Sequence, residues 1–77
     1  MKYIIFEDFA GQAIPIIFPE RVDYVEFREQ IPYPAVLAAG KVKLTDTGFI
    51  CYGESKELGV KSSSNDAKII EQYLKKD

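Results

Sequence analysis

Histidine and tryptophan are absent from the 77 residues, and cysteine and methionine occur once each. Each absence removes a class of function. Without histidine the chain lacks the side chain that titrates near neutral pH, the commonest transition-metal ligand, and every Ser–His or Cys–His nucleophile pair. A lone cysteine, Cys51, forms no internal disulfide and builds no zinc site on its own. No segment approaches the ~18 apolar residues of a membrane span. Neither sign of charge dominates, since ten Lys+Arg face twelve Asp+Glu for a net charge of -2. A mildly acidic chain lowers the expectation of nucleic-acid binding without removing it, because a local basic patch can still neutralise phosphates. The expectation is a protein that is not an enzyme and that carries no cofactor and no metal.

What is present is ordinary for a globular domain: 47% hydrophobic, 29% charged and 13% aromatic residues. That excludes a disordered tail or a low-complexity linker. The length fits one α+β domain over residues 1–77. Surface scaling gives a folded area of roughly 4,700 Å². Burial then contributes on the order of 120 kcal/mol, and ordering the chain costs about 115 kcal/mol. The two nearly cancel, so the domain folds alone marginally or gains stability from a partner. The opening MKYIIFEDF turns acidic too soon for a signal peptide. With a single thiol, this leads to the expectation of a reduced, cytoplasmic setting without membrane contact.

Residues 2–9 are β-branched and aromatic before their acids, which predicts a strand. Ala10-Gly11 reads as a two-residue turn, and residues 12–18 return as a second strand. That spacing sets Ile5 opposite Ile16 and makes both faces of the hairpin apolar, where a half-exposed pair would alternate. Pro15 has no N–H and assigns the second strand to a sheet edge. Asp23 followed three residues later by Glu26 predicts a short helix entry, with Tyr24, Phe27 and Ile31 on one face. The prolines at 32 and 34 end it. AVLAAGKVKL, TDTG and FICYGES form a second hairpin, with Gly48 at positive φ after a type I turn. Pairing Thr45 with Phe49 turns Val42, Leu44, Ile50 and Tyr52 to the core and Lys41, Lys43 and Cys51 away from it. Gly40 invites a bulge or a close backbone approach. A closing helix runs from about residue 65 to 75, capped by Ser63 or Ser64, with Ile69, Ile70, Tyr73 and Leu74 apolar and Lys75-Lys76 in its last turn. The fold expected is a small antiparallel sheet of about four strands in β-β-α-β-β-α order, with the C-terminal helix packed on it.

Candidate sites are few. Gly40-Lys41 resembles the end of a phosphate-binding loop, but Ala35 and Val42 stand where that loop needs glycine and Ser/Thr. Lys61 before Ser62-Ser63-Ser64 could offer an anion free N–H groups, although Asp66 competes for the same field and simple capping accounts for the serines. Lys41 and Lys43 near Phe49 suggest a face for single-stranded nucleic acid. Against that, strand lysines commonly protect against aggregation, and Tyr52 is assigned to the core. The strongest feature is the two-sided apolar hairpin, whose Ile4, Phe6, Ile16 and Ile17 are the candidate interface for self-association or a protein partner.

MKYIIFEDF, PIIFPE at 15–20, AAGKVKL and CYGESKELGVKS at 51–62 together resemble small uncharacterised proteins of bacteriophage and prophage genes. Ala38-Ala39-Gly40-Lys41 departs from an SAGF-like stretch of that group, and Ser63-Ser64 replaces an arginine-proline pair. The resemblance implies a phage-derived, bacterial setting and carries over no functional residue. The function expected is a non-catalytic interaction module that forms a homo-oligomer or binds a protein partner. The alternative is a nucleic-acid accessory protein using Lys41, Lys43 and Lys61. A small enzyme or ligand carrier would need a pocket between sheet and helix, for which the chain has little room.

Overall fold

The computed structural model describes residues 1–75. Its elements are β1 (Lys2–Glu7), β2 (Ala13–Phe18), α1 (Tyr24–Glu29), β3 (Ala35–Thr45), β4 (Gly48–Tyr52), β5 (Glu54–Ser55), β6 (Val60–Lys61) and α2 (Asp66–Leu74). Four strands form one antiparallel sheet in the order β2-β1-β3-β4, and β5 with β6 forms a separate two-stranded sheet. The α+β class and the edge position of the proline-bearing strand hold, and the expected order holds apart from the added β5–β6 pair before α2.

The run Tyr3-Ile4-Ile5-Phe6 explains the layering. Successive strand residues point to opposite faces, and all four of these are buried, so β1 needs cover on both sides. On one face Tyr3 and Ile5 join Ala38, Val42 and Ile70 beneath α2. On the other, Ile4 and Phe6 join Phe18, Tyr24 and Ala39, with Phe27, Ile31, Leu58 and Val60 packed against them. Helix α1 and the β5–β6 unit thus close the second face. Stacking of Phe18 on Phe27, with ring centroids 4.2 Å apart, fastens α1 to the edge strand.

Both hairpins differ from expectation by one residue, in opposite senses. In the first, Asp8 Oδ1 accepts the N–H groups of Ala10 (2.9 Å) and Gln12 (2.8 Å), and Gly11 adopts φ 82°. The loop therefore holds Phe9, Ala10 and Gly11, and Ile4, not Ile5, faces Ile16. In the second, Gly48 does take a positive φ of 124°, but it pairs directly with Thr45 across the two-residue turn Asp46-Thr47. Thr45 Oγ1 tightens that turn by donating to the Gly48 carbonyl at 2.8 Å. Because side chains alternate, each slip exchanges the faces of one strand.

Two capping expectations are also corrected. Asp23 precedes α1 without a side-chain cap, and only its carbonyl is used, accepting Phe27 N–H at 2.9 Å. At α2 the N-cap is Asn65, not Ser63 or Ser64, and it makes no side-chain cap; Asp66 Oδ2 instead reaches back to the Ser63 N–H at 2.8 Å. Along α2, Ile70 is buried and Ile69 half-buried, but Tyr73 and Leu74 are exposed. Lys76 lies outside the described residues.

Gly40 fills the close-approach role that its sequence suggests. It is buried, its carbonyl accepts the Tyr24 hydroxyl at 2.7 Å, and a Cβ there would run into the Tyr52 carbonyl oxygen. The obstacle is strand backbone, which cannot swing aside like a side chain. Gly40→Ala is expected to destabilise the fold by about 1–3 kcal/mol. Urea unfolding of this variant beside the wild-type chain measures it, and equal midpoints would refute the steric account.

Candidate functional site

The corrected register changes what the sheet shows to solvent. Lys41 pairs with Tyr52 and Lys43 with Ile50, so these four side chains share one face, and all are exposed. On the opposite face Leu44 pairs with Phe49 and Val42 with Cys51. Strand β3 runs past the start of β1, so Lys43, Leu44 and Thr45 have β4 on one side and no strand on the other. The overhanging hairpin carries Leu44 at 72% exposure, Ile50 at 42% and Tyr52 at 46%. A groove of about 430 Å³ runs beside it, lined by Met1, Ile17, Val42, Lys43, Leu44 and Phe49.

Backbone direction shows which groups remain open. Val42 N–H donates to the Met1 carbonyl at 2.8 Å, so Val42 turns its peptide groups toward β1. Alternation then turns those of Lys41 and Lys43 toward β4, and the N–H and C=O of Phe49 and Cys51 point outward. No backbone–backbone bond among the described residues meets them from that side. The other sheet edge is different. Asp8 N–H donates to Gln12 O at 2.9 Å, which places Ala13, Pro15 and Ile17 outward on β2. Pro15 thus removes a donor from the outer edge without breaking an inner bond. Strand β4 has neither proline nor charge, the two common devices for blunting an edge.

The candidate interface residues are redistributed by the fold. Ile4 and Phe6 are fully buried beneath α1, which removes them as contact residues of the folded chain. Ile16 and Ile17 are half-buried, Ile16 against the α1 side and Ile17 against the α2 side. The hairpin is apolar on both faces because both are core.

Of the lysines, Lys41 and Lys43 stand together, and Lys41 is paired with Glu20 at 3.4 Å. Lys61 is on β6 opposite Glu54, where it lines a separate groove of about 740 Å³ with Leu37 and Lys56. Ser55 at that groove is already engaged, accepting Leu58 N–H at 3.2 Å and donating to Glu57 at 3.3 Å. Sequence reasoning missed Ile50 and Tyr52 as surface residues. The signal available was the uncharged FICY edge segment, which only the true register exposes.

A buried polar cluster lies under the start of α2. Asp66 is buried, and its Oδ2 accepts both the Tyr3 hydroxyl and the Ser63 N–H. Burial, then the hydrogen bond and negative charge of Asp66, push the Tyr3 hydroxyl far above the usual phenol range. Burial and the charge of Asp66 also raise the Cys51 thiol, although a Tyr3 hydrogen bond works the other way. A thiol held protonated is a poor nucleophile. The cluster ties β1 to α2.

No protein-family model matches the chain, and no curated protein and no solved structure matches it either. No helix among the described residues is long and apolar enough to cross a membrane.

Tyr3→Phe leaves the buried Asp66 carboxylate with a single donor and is expected to cost about 1–3 kcal/mol in denaturant unfolding. Tyr3 and Cys51 are acids whose folded values are raised. Their stabilising share is complete below the ordinary thiol and phenol values, about 8.5 and 10, and is lost as pH rises through the folded values. Unfolding free energy should therefore decline above about pH 8.5, with a shallower slope in Tyr3→Phe. A flat alkaline limb in the wild-type chain would contradict this account.

Proposed function

We propose that the protein is a non-catalytic interaction module that takes up a protein partner along β4 by strand addition. The observation that carries this reading is an uncharged edge strand with outward-facing peptide groups at Phe49 and Cys51, flanked by exposed Leu44, Ile50 and Tyr52. Main-chain bonds along such an edge supply affinity, and the alternating side chains beside it supply selectivity. The resemblance to phage-associated proteins adds a bacterial, phage-derived and cytoplasmic setting to this reading.

A second reading has an observation of its own. Tyr52 beside Lys41 and Ile50 beside Lys43 bring aromatic and basic groups to one open face, as a single-strand nucleic-acid binder needs. The Glu20 carboxylate on Lys41 counts against it. This reading requires oligonucleotide binding that weakens steeply with salt, and its absence at low salt removes it.

Strand addition is tested by titrating the isotopically labelled chain with short extended peptides of alternating apolar and polar residues. The amides of Phe49 and Cys51 should shift most, and Ile50→Lys should weaken binding at least tenfold, about 1.4 kcal/mol. Shifts confined to other elements, or no binding by any such peptide, would refute the reading.

A further inference from the structure

Resting on that reading, the geometry points to a second copy of this chain as the occupant of the β4 edge, joined as an antiparallel β4–β4 pair centred on Ile50. A symmetric pair in which Ile50 faces Ile50 of the other copy puts Phe49 opposite Cys51. These are the two residues whose N–H and C=O groups point outward, so the open groups bond one another. No other strand is needed, and none of the five residues Gly48–Tyr52 is charged, so no like charges meet across the junction.

The side chains fit the same register. Tyr52 falls opposite Gly48, which has no side chain to meet the ring. On the α2 face, Leu44, Phe49, Cys51 and Val42 become one row across the junction, and Leu44, the most exposed of the four, sits at its end. On the other face the two Ile50 side chains meet, and each Lys43 lies one strand further out. Three strand spacings, about 14 Å, then separate the two lysines, more than the ~8 Å screening length at physiological salt. An edge about 17 Å long buries on the order of 600 Å² in total, below the ~1,200 Å² of a standard interface. The pair therefore belongs to the small, transient class of interfaces.

Light-scattering mass measured up to about 1 mM chain should rise from 8.7 kDa toward twice that value. Ile50→Lys should hold the chain at the monomer mass. Register is read by oxidative cross-linking in a Cys51→Ser background. Ile50→Cys should link readily, because a directly opposed non-hydrogen-bonded pair sits about 4.5 Å apart, within disulfide reach. Thr47→Cys, at the exposed tip of the same hairpin, should not. A monomer at every concentration, or equal cross-linking at both positions, overturns the self-pairing. If the monomeric chain still binds extended peptides through Phe49 and Cys51, the docking edge stands and only the second copy is wrong. If it binds neither, strand addition itself falls.

Discussion

Burial of β1 on both faces is the constraint from which the rest of the molecule follows. Four consecutive large side chains, Tyr3 to Phe6, cannot be hidden by a sheet with one wet face. A chain this short has only α2 to cover one side. The other side is assembled from smaller pieces: a six-residue helix, the chain around Ile31 and Tyr33, and Leu58 with Val60 from the two-stranded unit. Small residues on the neighbouring strand make this practicable. Ala38, Ala39 and Gly40 let both covering layers approach the sheet closely at its centre. Little covering material is left for the β3–β4 tip, where Leu44 and Ile50 stay exposed.

The Tyr3–Asp66 contact is the polar counterpart of that arrangement. A carboxylate at the first residue of α2 would ordinarily serve the helix dipole from solvent. Here it is drawn beneath the helix, where Ser63 N–H and the Tyr3 hydroxyl replace water. One side chain thus fixes where α2 begins and where it lands on β1. That is a positional role, of the kind buried polar groups serve in specifying a single packing.

Much of this architecture was legible in the residues themselves. Pro15 marked an edge strand, the prolines after Ile31 marked the end of α1, and Gly40 marked a close backbone approach. What failed was register, and with it the location of the exposed apolar surface. The decisive forces are local and small. Asp8 closes a three-residue loop with two side-chain bonds, and the Thr45 hydroxyl closes a two-residue turn by donating to the Gly48 carbonyl and accepting the Thr47 N–H. Apolar patterning could not arbitrate, because residues on both faces of β1 and β2 are core and either phase looks satisfactory. The Tyr3–Asp66 pair spans 63 positions and leaves no trace in spacing. The open edge was hidden for the same reason: FICY reads as half buried in either phase, and only the turn decides which half.

The unequal edges of the sheet also bear on the proposed strand addition. An edge that accepts another strand on each side of a molecule propagates, and repeated addition ends in a fibre. Pro15 places a missing donor at the middle of one edge and leaves the other intact. Strand pairing through β4, as proposed, leaves a proline-blunted edge at the far side of each four-stranded sheet. A single imino acid, placed where it disturbs no internal bond, removes a donor from the middle of the edge that the proposed pairing leaves open.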